Sequence, residues 1–122
     1  MIIQFQTKYV PEAEYNLDFS RYPNNRLAFV LRSANGEPQS VLSVNVPSIT
    51  LAPAEIIIKD YAENEGTLNA LVSAGVVSNP HRYVQTGHVV CPICAIAPHV
   101  LAVAIHEAPE METEPRSSTD SR

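Results

Sequence analysis

Tryptophan is absent from this chain of 122 residues, glycine occurs four times and cysteine only twice. Two cysteines cannot build a disulfide scaffold, and a chain of this length forms one domain with a core that needs no staples. Basic residues are also scarce, eight against thirteen acidic ones. Residues 1–100 are near neutral (eight acids, six bases) and residues 101–122 carry five acids and two bases, which together make −5. A body so close to neutral lacks the phosphate-matching surface of a non-specific nucleic-acid binder, although a local arginine pocket for one anion stays open. The longest apolar run, Val89 to Ile105, is 17 residues and is interrupted by Pro92, Pro98 and His99. That falls short of the roughly 20 residues of a spanning helix, so the run is expected in the core. Met1 to Phe5 shows no basic region ahead of an apolar one, and a cytoplasmic, reduced protein without cofactor is expected.

What is present is one stretch with helical rhythm, Lys59 to Gly75. Leu68, Leu71 and Val72 fall at i, i+3 and i+4 and share a helix face. Asp60 or Asn64 suits the start, Glu63 and Glu65 favour the positive end of the dipole, and Gly75 suits a left-handed stop. The pattern predicts one helix, from about Glu63 to Ala74, laid across a sheet.

Strand patterns flank it. Ile2 to Tyr9 alternates imperfectly, and Pro11 to Asn25 reads as a long loop whose Tyr15, Phe19 and Tyr22 pack down over a sheet edge. Arg26 to Arg32 and Gln39 to Val46 are the best strands, joined by a loop containing Asn35-Gly36 that is longer than a two-residue turn. Leu42, Val44 and Val46 share one face there, with Ser43 and Asn45 on a wet one. Pro47 to Pro53 is a connector, and Glu55 to Lys59 is a buried strand leading into the helix. Val76 and Val77 are expected beneath the sheet. Arg82 to Gln85 and His88 to Ile96 make a hairpin around Thr86-Gly87, and His99 to His106 is a strand or a short helix, the alternation of Leu101, Val103 and Ile105 with Ala102 and Ala104 slightly favouring strand. From Ala108 on, nothing apolar accumulates, so residues 108–122 are expected to form a disordered acidic tail after a domain spanning 1–107.

Four groups of residues carry chemistry. Cys91-Pro92-Ile93-Cys94 has Cys-x-x-Cys spacing, and His88 and His99 complete four possible ligands for zinc, or the pair serves dithiol exchange. On a strand, however, residues three apart point to opposite faces, and the motif lacks a second ligand pair elsewhere, so buried structural thiols are expected. The carboxylates Asp60, Glu63 and Glu65 fit a solvated first helical turn better than acid–base work. Their charge also spoils that helix end for phosphate. Histidines 81, 88, 99 and 106 show no ligand spacing, and His81 is expected at the surface. Finally, Arg21, Tyr22 and Arg26, with Arg82 and Tyr83 after the helix, have the composition of binding surfaces and would make one pocket if the long loop folded toward Arg82.

Asn35-Gly36-Glu37-Pro38 with Val41 to Pro47, Ile58 to Gly66 followed by Leu68, Leu71 and Gly75, and Thr86 to Cys94 together resemble a family of short bacterial proteins of unknown function. The resemblance covers roughly residues 27 to 96. It implies an accessory protein of conjugative elements, plasmids or phages, often encoded near antirestriction genes, and it carries no catalytic residue or ligand. In the family pattern the second cysteine is commoner than the first, which makes Cys91 a local variation.

The fold expected is therefore α+β, a mostly antiparallel twisted sheet of five to seven strands with one main helix on one face. The function expected is a non-enzymatic binding or inhibitor module of a mobile genetic element, acting on a host or element-encoded protein or pairing with a second copy. The alternative is a nucleotide-signal binder using Arg21, Tyr22, Arg26, Arg82 and Tyr83. A third is zinc or redox chemistry at Cys91 and Cys94.

Overall fold

The computed structural model describes residues 1–111. Within them the chain is α+β, with seven antiparallel strands in two sheets and two α-helices. β1 (Ile2–Phe5), β2 (Ala13–Arg21), β3 (Leu27–Arg32) and β4 (Pro38–Val41) form the first sheet in that order. β5 (Glu55–Ile57), β6 (Arg82–Thr86) and β7 (Val89–Ala95) form the second, ordered β5-β7-β6. A bridge between Ser43 and Ile58, just beyond β4 and β5, joins them. α1 (Thr67–Ser73) and α2 (Pro98–Glu107) are the helices.

The segment Pro11–Asn25 is not a loop. Tyr15, Leu17 and Phe19 alternate inward along β2, and Leu17 is fully buried. Polar Glu14, Asn16, Asp18 and Ser20 occupy the other positions, which hides a period-2 pattern among charged and aromatic residues. The strand also pairs on both sides, with β1 and β3. Two hairpins share one device, a three-residue loop ending in a left-handed residue. In Pro23–Asn25 that residue is Asn25 (φ 72°), and in Ala34–Gly36 it is Gly36 (φ 88°). The backbone pairs Asn25→Tyr22 with Tyr22→Arg26, and Gly36→Ser33 with Ser33→Glu37, close them. β6 and β7 instead turn through two residues, Gly87 and His88, with Gly87 at φ 62°.

Strand β4 ends at Val41, and the alternation expected through Val46 breaks there. Leu42 and Ser43 are both buried, so Ser43 is not on a wet face. Its hydroxyl accepts the Phe29 N–H (3.1 Å) and bonds the Tyr22 hydroxyl (2.9 Å).

The expected long helix is shorter. A 3₁₀ turn over Ala62–Asn64 precedes seven residues of α1. Gly66 separates them at φ 98°, and a Cβ there would stand 3.2 Å from the Cβ of Thr7. Asp60 still serves as the cap: its Oδ1 accepts the N–H groups of Gly66 and Leu68, both at 3.0 Å. At the other end Val76 N–H bonds Leu71 O and Gly75 N–H bonds Val72 O. That pair, with Gly75 left-handed (φ 74°), is a Schellman stop. Leu71 is fully buried, and Leu68 and Val72 pack half-buried beside it.

Residues His99–His106 are helix α2, not strand. Pro98 sits in its first turn, where the missing N–H costs nothing. Val100 and Ala104, four apart, are buried, while Ala102 and Ile105 face out. The alternation of alanine with larger residues imitated a strand, but alanine favours helix, and burial of Val100 and Ala104 selects the helical face. α2 is therefore the longer of the two helices, where one main helix was expected.

The core has two compartments. The larger lies between the inner face of the first sheet, both helices and the Cys94 side of β7. The smaller holds Ile57, Cys91 and Ile93 under Val44, Val46, Ile49 and Leu51. Val76 and Val77 are buried in the larger one, as expected. Ala108 is buried too, and residues 108–111 are tied down: Arg21 Nε donates to Ala108 O (2.9 Å), and Asn25 exchanges bonds with Met111. The rest of the expected acidic tail, 112–122, lies outside the described residues. Replacing Leu71 by Ala should lower stability by about 2–5 kcal/mol in denaturant unfolding, because the cavity opens in the larger compartment.

Candidate functional site

The two cysteines bound the part of β7, Cys91–Cys94, that is buried on both faces. Alternation sends Cys91 into the smaller core and Cys94 into the larger. Burial pushes both thiols up, Cys94 to about 11, with the Asp60 charge adding to the effect. Neither is poised as a thiolate. His88 and His99 are exposed. Among the described residues no group of three or more His, Cys, Asp or Glu gathers as for a metal ion.

The predicted arginine–tyrosine set is divided among internal tasks. Arg21 Nη1 donates to Asn25 O (2.9 Å) besides holding Ala108. It lines a cavity of about 170 Å³ with Leu27, Leu51, Leu101 and Ile105. Tyr22 is half-buried against Ser43, and burial raises its phenol above the ordinary value. Arg26 and Arg82 bind different carbonyls of one connector. Arg26 donates to Val46 O (2.9 Å) and Ile49 O, and Arg82 Nη2 to Thr50 O (2.6 Å). From the first sheet and the second, the two guanidinium groups hold the same connector. That connector roofs the smaller core with Val46, Ile49 and Leu51.

Arg82 also binds Glu55 Oε1 at 2.9 Å. The Glu55 carboxylate accepts the Ala52 N–H (2.8 Å) and contacts His81 Nε2. Arg82 first, then these two donors, hold Glu55 down at about 2. His81, expected alone at the surface, is thus part of an exposed charged cluster that spacing did not reveal, because its members lie on β5 and on the approach to β6. The helix-start carboxylates behave as solvated groups: Asp60 caps, and Glu63 pairs with Lys59 (2.9 Å) and is lowered by that bond.

Tyr83 alternates with Arg82 and points the other way, 62 % exposed. Val90 lies diagonally from it across the β6–β7 pair and is 59 % exposed. Beside them runs an open strand edge. Ile58 N–H bonds Pro92 O (2.9 Å), so the polar groups of Pro92 are aimed at the β5 side. Tyr83, opposite Pro92, therefore turns its own N–H and C=O outward, as does Gln85. Tyr83 was legible in the sequence, whereas Val90 and the edge were signalled only by the Thr86-Gly87 turn.

Comparison of the chain with protein-family models, with curated proteins and with solved structures finds no match. Among the described residues no helix is long and apolar enough to cross a membrane.

Two outcomes are expected. Because the Glu55 carboxylate is lowered from 4.5 to about 2, its stabilising contribution is complete above pH ~4.5 and is lost as pH falls toward 2. In acid unfolding, Glu55→Gln should therefore flatten that part of the stability curve. Arg26→Ala should cost about 1–3 kcal/mol, since it removes two bonds and strands Ile49 O while Val46 O keeps the Ile49 N–H, and it should speed amide exchange in residues 46–53.

Proposed function

We propose that the chain is a non-enzymatic binding or inhibitor module that engages a protein partner through the β6–β7 hairpin. The observation that carries this reading is the open edge of β6 beside Tyr83 and Val90. An outer strand with unpaired backbone groups and exposed apolar side chains accepts a further strand, and a tyrosine supplies large contact area with few rotatable bonds. The resemblance of residues 27 to 96 to accessory proteins of conjugative elements, plasmids and phages supports a host protein as the partner. The nucleotide reading has less support: a phosphate would have to take Arg26 and Arg82 away from the connector carbonyls and Glu55.

The test is capture from a bacterial lysate with the tagged chain, then reconstitution with the identified, purified partner. Tyr83→Ala should weaken the reconstituted complex at least tenfold with the unfolding midpoint unchanged. Equal affinity of wild type and Tyr83→Ala, or a nucleotide co-purifying at one per chain and released by Arg82→Glu, would refute the proposal.

A further inference from the structure

The first sheet has an open edge of its own. β1 is an outer strand, and its pairing determines where its backbone points. Met1 donates to Leu17 O (3.0 Å) and Leu17 N–H donates to Met1 O (2.7 Å). Antiparallel alternation then makes Ile3–Tyr15 and Phe5–Ala13 the bonded pairs, while Ile2 and Gln4 turn N–H and C=O away from β2. No backbone group among the described residues bonds either group of Gln4.

Helix α1 stands beside this edge without closing on it. The two touch where Gly66 meets Thr7. Farther along they are separated by an open groove of about 270 Å³, with Gln4, Phe5 and Gln6 on one wall and Asn69, Ala70 and Ser73 on the other. Covering an edge strand with a helix is a common way to block pairing. Here the cover stops short of the backbone it would shield.

We propose that this groove takes an extended polypeptide segment of a partner protein as an additional strand beside β1. The outward N–H and C=O groups recur every second residue, about 6.8 Å apart, a repeat that an extended chain matches along its length. Amide and hydroxyl side chains line the groove, Gln4, Gln6, Asn69 and Ser73, and these reach backbone groups without selecting one charge. The groove is open to solvent rather than enclosed. Glu12 is the one charged residue lining it, so the segment carries a lysine or arginine near that end. The site is separate from the hairpin and does not rest on it.

Random heptapeptides displayed on phage, selected against the full chain and then synthesised, are the probe. Binding should shift the amide resonances of Gln4, Gln6, Asn69 and Ala70 and slow exchange at Gln4 at least tenfold. Gln4→Pro deletes an outward N–H and no ladder bond, so it should weaken binding at least tenfold while leaving the unfolding midpoint in place. Ser73→Trp, at an exposed helix position, should block the groove independently, and Tyr83→Ala should leave peptide binding intact. The proposal is wrong if no peptide is selected, if the shifts fall on Tyr83 and Gln85 instead, or if Gln4→Pro and Ser73→Trp both bind as wild type does.

Discussion

Burial of β7 on both faces is the constraint on which the rest depends. A strand at the middle of a three-stranded sheet, with Cys91 and Ile93 on one side and Cys94 and Ile96 on the other, forces apolar partners to gather both above and below it. The larger compartment is supplied by the first sheet and the two helices. The smaller has no second sheet available and is closed by a connector. Pro92 lies one residue past the last β5–β7 pair, Ile57–Ile93, where Ile58 still donates to its carbonyl but the ladder ends, so the missing N–H forfeits one terminal bond.

That smaller compartment explains where the cationic groups go. A connector rich in proline cannot satisfy its carbonyls by forming a strand, and it lies over apolar side chains. Arg26 and Arg82 satisfy those carbonyls from opposite sides. Glu55 then balances Arg82, and His81 joins the same carboxylate. Residues with the composition of a ligand pocket are thereby engaged in holding a roof in place.

With the polar side chains so engaged, the available binding features are backbone. Of the four outer strands, β1 and β6 turn unpaired N–H and C=O groups outward, one beside a helix and one beside exposed Tyr83 and Val90. The two edges differ in what flanks them, amides and hydroxyls in one case and apolar side chains in the other.

Local chemistry was legible where a residue answers to its immediate neighbours. The strands around Leu27–Arg32 and Val89–Ala95, the turns at Gly36 and Gly87, the cap at Asp60, the stop at Gly75 and the divergence of Cys91 from Cys94 all follow from period, backbone freedom or alternation. Strand β2 and helix α2 did not follow, because Asp18 and Ser20 mask one alternation and alanines feign another, and only burial against partners distant in the chain separates the possibilities. The partners of Arg26, Arg82 and His81 were beyond local reading for the same reason. Spacing along a chain decides which way a side chain points, but which carbonyl or carboxylate it meets is decided by how separate segments pack.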